Sequence, residues 1–432
     1  MIHVVGGGLA GSEAAWQLAE RGHEVTLWEM RPEKPTPAHH TGLCAELVCS
    51  NSLGSKLLSS GAGLLKQELR TLDSLIIAAA EETAVPAGGA LAVDREAFGR
   101  WVTDRVLGHP RIRLVREECT KLPEGIVIVA AGPLASNAVT SELQTITNSD
   151  YLHFFDAAAP IITGESILYD QGFWAARYDK GTADYFNCPM TKEEYLRFYD
   201  ALVTAERAPL GHAEDSVSVF EGCMPVEVMA GRGVDTLRFG PMRPVGLRFP
   251  DGSRPYAVVQ LRRENTAASL FNLVGFQTRL KWGEQQRVFR LIPALARAEF
   301  VRFGVIHRNT FVNAPRLLKA TYQLQEVPNV FVAGQLAGVE GYVESASSGL
   351  VAALNADRLA NGQEPLVFPE ETMTGALAHY LVNADPKSFQ PMKANFGILP
   401  PLAERIRDKQ KRKESYSHRA LAAMQTFRER FA

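Results

Sequence analysis

Three glycines near the N-terminus have the spacing of a dinucleotide-binding turn. Gly6, Gly8 and Gly11 form a G-x-G-x-x-G pattern between an apolar stretch and a helical stretch. In such a turn the first glycine permits the tight bend, the second lets the backbone approach a pyrophosphate, and the third lets helix pack on strand. The residues predicted to contact the dinucleotide are Gly6, Gly7, Gly8, Leu9, Ala10 and Gly11, with Glu29 after the next strand as the partner of the ribose hydroxyls.

Five cysteines are the other residues that could do chemistry. Cys49 follows Cys44 with four residues between them, the spacing of a redox pair that exchanges electrons with a flavin. Cys223 lies in an E-G-C-M-P segment whose glycine and proline are typical of an exposed turn. Cys119 and Cys188 are predicted to be small buried residues of the core.

The elements around the glycine turn predict a parallel sheet. An apolar strand at 2–5, a helix at 12–21 and a second strand at 24–28 form a βαβ unit. Residues 64–80 and 94–107 are predicted to be helices, and further strands are expected at 112–115, 126–131 and 329–333.

The late strand favours FAD over NAD as the dinucleotide. In FAD proteins a late strand returns to the same sheet, and its glycine-rich turn meets the cofactor from the other side. Gly334 and Gln335 follow the late strand, a helix is expected to open near Gly349, and Gly132 ends the predicted middle strand. These four residues are added to the predicted FAD contacts.

The regular alternation of strands and helices is lost between about residues 141 and 320, where aromatic residues become denser. The predicted fold class is α/β, a GR2-like Rossmann-type FAD-binding domain with an inserted mixed α/β domain. Its first part covers 1–140, the insertion 141–320, and the second part 321–432 ends in a basic helix at 404–432.

Composition limits the function classes. The 432 residues include 46 Lys plus Arg and 48 Asp plus Glu, a net charge of −2, so the whole surface is not a nucleic-acid or membrane binder. No apolar stretch approaches the roughly 18 residues of a membrane span, and no signal peptide is evident, so we expect a cytoplasmic protein. The cysteine spacing predicts neither a disulfide framework nor a metal site.

With these residues assembled, the chain resembles the folate- and FAD-dependent tRNA (uracil-5-)-methyltransferases over essentially its full length. The matching segments are 6–16, 29–32, 37–41, 46–53, 63–66, 221–230, 235–247, 271–286, 307–311 and 334–349.

The resemblance implies transfer of a methylene group from methylenetetrahydrofolate to C5 of a T-loop uridine. Reduced FAD supplies the electrons, and NADH or NADPH reduces the flavin again. A thiolate must add to uracil C6 before C5 becomes nucleophilic. By the family pattern Cys223 is this nucleophile and Cys49 the second thiol near the flavin, although the two roles remain exchangeable. Arg232, Arg238 or Lys281 could supply positive charge to the thiols.

The resemblance also implies substrate contacts. His307, Glu340 and Tyr342 are candidates for the folate. Phosphate contacts to tRNA are expected from basic residues of the tail and the insertion, namely Arg405, Arg407, Lys409, Lys411, Arg412, Lys413, Arg419, Arg232, Arg243, Arg248, Arg262 and Arg263. The oligomeric state stays open.

Two departures from the family pattern keep alternatives open. Cys44 stands where the family has an apolar residue, which leaves a flavin-dependent disulfide oxidoreductase using Cys44 and Cys49 as the rival enzyme. Gly54 and Ser55 stand where an arginine is common. A flavin-containing RNA-binding protein without catalysis is the third hypothesis.

Overall fold

The computed structural model describes residues 1–149, 151–157, 159–179, 182–208, 224–249, 251–304 and 306–429. For residues 152–157, 179 and 306–308 it describes the backbone alone.

The strands, in chain order, are β1 Ile2–Val5, β2 Val25–Trp28, β3 Ser52–Ser55, β4 Ala84–Val85, β5 Ala90–Val93, β6 Ile112–Val115, β7 Ile126–Val129, β8 Leu152–Ala157, β9 Ile161–Thr163, β10 Phe173–Ala175, β11 Tyr185–Met190, β12 Ala257–Arg263, β13 Leu270–Leu273, β14 Phe300–Arg302, β15 Ile306–Phe311 and β16 Val330–Val332. The helices are α1 Leu9–Glu20, α2 Gly61–Thr71, α3 Leu75–Glu82, α4 Arg95–Gly108, α5 Asn137–Thr147, α6 Lys192–Val203, α7 Val226–Ala230, α8 Thr236–Phe239, α9 Trp282–Phe289, α10 Ala314–Leu317, α11 Tyr342–Ala360, α12 Met373–Asn383 and α13 Lys409–Arg428.

A parallel five-stranded sheet carries the N-terminal glycine turn. Its strand order is β16-β7-β1-β2-β6, so the late strand β16 returns beside the middle strand β7, as predicted. Strands β1, β2, β7 and β16 are short and apolar and most of their residues are buried, as expected where helices cover both faces of a parallel sheet. This order brings the turns after β1, β7 and β16 to one edge, because the carboxyl ends of parallel strands meet there.

An antiparallel sheet of six strands, in the order β10-β11-β12-β13-β9-β14, lies within the predicted insertion. Smaller antiparallel sheets pair β8 with β15 and β3 with β5 and β4. The fold is therefore a mixed α/β structure around a Rossmann-type sheet. The domain boundaries at residues 140 and 320 stay predictions.

Two large hydrophobic clusters form the cores. The first contains residues from both ends of the chain, including Val4, Leu27, Phe331 and Leu350. The second contains residues between Ile162 and Ala298.

Three helix predictions were wrong in their extent. Residues 64–80 form two helices, since Asp73 has φ +56° and the Ser74 side chain caps the start of α3. The helix expected to open near Gly349 begins at Tyr342 and carries Gly349 in its interior. The tail helix begins at Lys409, where Asp408 caps it, and not at residue 404.

No helix among the described residues is long and apolar enough to cross a membrane.

Candidate active site

The glycine turn has the shape that a bound pyrophosphate requires. A Cβ at Gly6 would lie 2.5 Å from the Ala130 carbonyl oxygen, and a Cβ at Gly11 would lie 1.8 Å from the Gly6 carbonyl oxygen. Gly8 has no atom within 4 Å of its Cβ position, and as the N-cap of α1 it brings no side chain over the helix start. The turn is therefore tight on the protein side and open on the side that a phosphate would occupy.

Glu29 is already bound by the protein. Its Oε1 accepts hydrogen bonds from the backbone N and the Nε of Arg31, and its Oε2 accepts from Arg31 Nη2 and the Gly7 N–H, all at 2.9 Å. Burial opposes the charged form, but the Arg31 hydrogen bonds and charge outweigh it and lower the pKa of Glu29. Four donors occupy the four lone-pair positions of a carboxylate, so a ribose hydroxyl would have to displace one of them to bind Glu29.

A cavity of about 990 Å³ extends from the glycine turn along the edge of the parallel sheet. Of the predicted FAD contacts, those that line it are Gly6, Gly8, Leu9, Ala10, Glu29, Gly132, Gly334 and Gln335. Gly334 has φ +73°, and its Cβ would lie 3.2 Å from that of Ala10, so the late turn approaches the first one closely.

Gly349 does not belong to this cavity lining. A Cβ at Gly349 would lie 2.1 Å from the Ala10 carbonyl oxygen. Gly349 therefore lies at the contact between α11 and α1. The prediction that it lies at the start of a helix was wrong.

A second cavity of about 1190 Å³ adjoins the first and contains Cys49. Val48, Pro133, Leu134, Gln335 and Tyr342 line both cavities. Cys49 lines the second cavity and directly follows Val48, which lines both, so it lies beside the wall that the two cavities share.

The Cys49 loop is held by arginines from distant elements. Arg95 at the start of α4 donates to the Leu47 carbonyl, and Arg302 at the end of β14 donates to the Val48 carbonyl. Arg262 in β12 donates to Ser50 Oγ at 2.8 Å and to Asn51 Oδ1 at 3.0 Å.

The positive charge near Cys49 comes from two of these arginines. Both Arg95 and Arg302 interact electrostatically with Cys49. Two of the residues predicted to supply positive charge to the thiols form ion pairs with other residues. Arg238 pairs with Asp235 and Lys281 with Glu206, both at 2.6 Å.

The other described cysteines are poor nucleophiles. Cys44, Cys119 and Cys188 are buried and reduced, and burial raises the pKa of each thiol, that of Cys119 to about 11. No disulfide joins Cys44 to Cys49, so the structure does not show the redox pair. Cys223 lies outside the described residues.

The three folate candidates have different surroundings. Glu340 is 4% exposed, lines the second cavity and accepts a hydrogen bond of 2.7 Å from Gln335 Nε2. Tyr342 lines both cavities, and its hydroxyl contacts Cys49. His307 belongs to β15, but its side chain lies outside the described part of the chain.

The basic candidates divide into exposed and engaged residues. Arg262 is buried against the Cys49 loop, and Arg419 donates to the Pro400 and Pro401 carbonyls. The exposed ones are Arg405, Arg407, Lys409, Lys411, Arg412, Arg232, Arg243 and Arg248, whereas Lys413 and Arg263 are half-buried. No cluster of potential metal ligands occurs within the described ranges.

Sequence reasoning missed Arg31, Arg95 and Arg302 as parts of the site. Arg31 had a signal, because it lies two residues after Glu29 and within reach of its carboxylate. Arg95 and Arg302 bind backbone carbonyls 48 and 254 positions away. Every residue has a backbone carbonyl, so the sequence does not indicate which one an arginine binds.

The parallel sheet and the glycine turn define a Rossmann-type dinucleotide-binding protein. The profile of the family described as glucose inhibited division protein A matches residues 1–364. A Bacillus licheniformis protein named methylenetetrahydrofolate--tRNA-(uracil-5-)-methyltransferase TrmFO is 58% identical over 421 residues, covering 97% of each chain. A protein of the same name from Pelotomaculum thermopropionicum is 59% identical over 430 residues, covering 99% of this chain and 98% of its own.

Among solved structures, Aquifex aeolicus GidA in its form II crystal has a TM-score of 0.71 at 16% identity and shares the fold, covering 98% of this chain and 73% of that one. The chain belongs to the glucose inhibited division protein A family and, within it, to the group of proteins named TrmFO.

Proposed function

We propose that the protein is a tRNA (uracil-5-)-methyltransferase that forms 5-methyluridine in the T-loop with methylenetetrahydrofolate as carbon donor. The observation that carries the proposal is the position of Cys49, which lines the second cavity directly beside the wall it shares with the dinucleotide cavity. The names of relatives at 58% and 59% identity support the substrates.

The residues of the first cavity fit FAD. Gly8 and the first turn of α1 would hold the pyrophosphate, and Gly334 and Gln335 would approach the cofactor from the late turn. FAD supplies the two electrons that convert the transferred methylene group to a methyl group. NADH or NADPH is the proposed source of those electrons.

The two proposed catalytic cysteines have separate tasks. Cys223 adds to uracil C6, which makes C5 nucleophilic. The C5–carbon bond forms as one carbon–nitrogen bond of methylenetetrahydrofolate opens. Loss of the C5 proton then expels tetrahydrofolate and leaves a methylene group at C5. Two electrons, for which reduced FAD would be the source, and a proton convert this group to methyl, and the C5–C6 double bond returns as the Cys223 thiolate departs. Cys49 is the second thiol, placed to receive the C5 proton or to handle the methylene group.

Substrate binding follows from the second cavity and the basic surface. Glu340 and Tyr342 on the cavity wall, with His307, are the proposed folate partners. The exposed basic residues of the tail are proposed to bind tRNA phosphates, and the base must leave its stack to reach the cysteines. An inserted unit between residues 140 and 320 belongs to the same proposal. The second core, between Ile162 and Ala298, supports such a unit, whereas Phe311 and Leu318 pack in the first core. A cytoplasmic location completes it.

Tritium release tests the proposal against its rivals. Each methyl group placed on C5 displaces one hydrogen, so tRNA carrying [5-³H]uridine should release tritium when protein, FAD, NADPH and methylenetetrahydrofolate are all present. Omitting the folate is the control and should abolish the release of label above background. A protein that binds this tRNA tightly but releases no tritium with every component present would contradict the proposal.

A further inference from the structure

The hydroxyl group of Tyr342 has an unusual set of hydrogen-bond partners. Its oxygen accepts from the backbone N–H of Cys49 at 2.9 Å and from that of Ser50 at 3.2 Å. The same oxygen lies 3.0 Å from Cys49 Sγ. Tyr342 is the first residue of α11, so the start of this long helix fixes the position of the hydroxyl.

The direction of the third hydrogen bond follows from counting donors and acceptors. A phenolic hydroxyl has one hydrogen to donate, and two N–H groups already use its oxygen as acceptor. Of the described atoms in contact with it, Sγ is the one that can accept the hydrogen. A hydrogen bond from a phenol to sulfur stabilises the thiolate more than the thiol.

We infer that Tyr342 is a positioning residue that holds the Cys49 side chain as a thiolate by donating its phenolic hydrogen to Sγ. When Cys49 ionises, its S–H bond breaks, the sulfur keeps the electron pair and the proton passes to solvent. The O–H bond of Tyr342 stays intact. Tyr342 was a folate candidate on sequence grounds, and this contact gives it a different task.

The charges around the pair agree with this inference. Arg95 and Arg302 interact electrostatically with both Cys49 and Tyr342, and Arg262 holds the adjacent Ser50. Glu264 offsets part of this charge, because its Oε2 lies 2.7 Å from Arg95 Nη2. The other charged side chains on the cavity beside Cys49 are those of Glu340, Glu344 and Lys393.

Tyr342 itself keeps its proton. Burial raises the pKa of Tyr342 well above its ordinary value of 10, and the neighbouring Cys49 raises it further. The hydroxyl is therefore a hydrogen-bond donor throughout the pH range in which a cysteine ionises.

Alkylation kinetics test the inference without turnover. The full FAD-loaded protein is treated with iodoacetamide between pH 5 and 10, and the rate at Cys49 is followed by peptide mass spectrometry. Tyr342→Phe should move the pH midpoint of that rate upward by about one unit and slow alkylation at pH 7 by roughly tenfold. Tyr380→Phe is the matched control, since its hydroxyl donates to the Gln390 carbonyl, and it should leave the Cys49 profile unchanged.

A second measurement guards against a folding defect in the phenylalanine variant. Site-specific 3-fluorotyrosine in place of Tyr342 keeps the shape and makes the hydroxyl a stronger donor, so the midpoint should move downward. Equal midpoints in the wild type and the fluorinated protein, or in the wild type and a folded Tyr342→Phe variant, would overturn the inference.

The role of this thiolate in turnover rests on the proposed function, whereas the alkylation test does not. Neither tRNA nor folate is present in it. Failure of the alkylation prediction therefore leaves methylation to be judged by tritium release, and absence of methylation leaves the alkylation result standing.

Discussion

Cys49 differs from the other described cysteines in its surroundings. It is half-buried in the wall of the second cavity, whereas Cys44, Cys119 and Cys188 are buried in the cores. Arginine charge and the Tyr342 hydroxyl favour its ionised form, and burial disfavours that of the others. At the scale of single residues, the structure therefore favours the methyltransferase over the disulfide oxidoreductase.

The assignment of Cys223 as the C6 nucleophile predicts a trapped adduct. A T-loop RNA with 5-fluorouridine at the target should stay covalently bound to the wild-type protein, because fluorine cannot leave C5 as a proton does. Cys223→Ala should remove the adduct, as seen on a denaturing gel and by mass spectrometry.

Cys188→Ala is the matched control, because Cys188 is fully buried and should leave the adduct in place. An adduct that persists in Cys223→Ala would show that another residue attacks C6.

At the scale of elements, the nucleotide-binding part could be predicted because its signals are local. The spacing of Gly6, Gly8 and Gly11 and the short apolar strands gave β1, α1 and β2, and the return of the late strand as β16 was also predicted. The start of α11 was missed because Tyr342 follows Gly341, which has φ +123° and no side chain to act as a cap signal.

The contact of α11 with α1 depends on Gly349. We expect Gly349→Ala to lower the free energy of unfolding by about 1–3 kcal/mol, because the added methyl group overlaps the Ala10 backbone. The first turn of α1 lines the FAD cavity, so FAD affinity should fall as well. Denaturant unfolding and flavin titration measure the two effects.

Gly108→Ala serves as the control for Gly349→Ala. Gly108 ends α4 and has no atom within 4 Å of its Cβ position, so stability should stay the same or rise by up to about 1 kcal/mol. Equal stabilities of the two variants would show that the close approach of α11 to α1 is not required.

The start of α12 is held by a buried carboxylate. Glu68 in α2 accepts from the Met373 N–H at 2.7 Å and from the Thr374 N–H at 2.9 Å and hydroxyl at 2.8 Å. Burial outweighs these hydrogen bonds and raises the pKa of Glu68 to about 7 from 4.5. Since the folded protein holds this proton more tightly than the unfolded chain, stability from Glu68 is full below pH 4.5 and is lost as pH rises through 7.

We expect Glu68 to contribute a fall of about 3 kcal/mol in the free energy of unfolding between pH 4.5 and 7. Glu68→Gln should remove this part of the dependence of unfolding free energy on pH, as measured by urea unfolding at a series of pH values across that range. Glu96→Gln, at an exposed position of α4, should keep it. If the unfolding free energy of Glu68→Gln depends on pH as that of the wild type does, Glu68 ionises in the folded protein as it does in the unfolded chain.

At the scale of the whole molecule, the insertion positions the reactive loop. Arg262 and Arg302 come from the six-stranded sheet, yet they hold Ser50 and Val48 in the segment that follows the nucleotide-binding strands. Sequence could not show this, because the partners are far apart in the chain and the acceptor of Arg302 is a backbone carbonyl.

The basic tail is the proposed docking surface for tRNA phosphates. Replacing the exposed Lys409, Lys411 and Arg412 of α13 with glutamine should weaken tRNA binding and leave FAD content unchanged. The slope of log Kd against log salt concentration should fall by roughly one for each phosphate contact removed.

Arg428→Gln on the same helix is the control, because Arg428 pairs with Asp73 at 3.2 Å and should leave the slope unaltered. Identical salt slopes for the triple variant and the wild type would place the tRNA on another surface.

The origin of the transferred carbon is the most direct test of the proposed function. Undermodified tRNA is incubated with protein, FAD, NADPH, ¹³C-methylenetetrahydrofolate and S-adenosylmethionine carrying a CD₃ group. The masses of its nucleosides and of the oligonucleotide that contains the T-loop are then measured by mass spectrometry. The account predicts 5-methyluridine heavier by one mass unit, located in the T-loop. A product heavier by three units, or no 5-methyluridine in a protein that carries FAD and binds the tRNA, would contradict it.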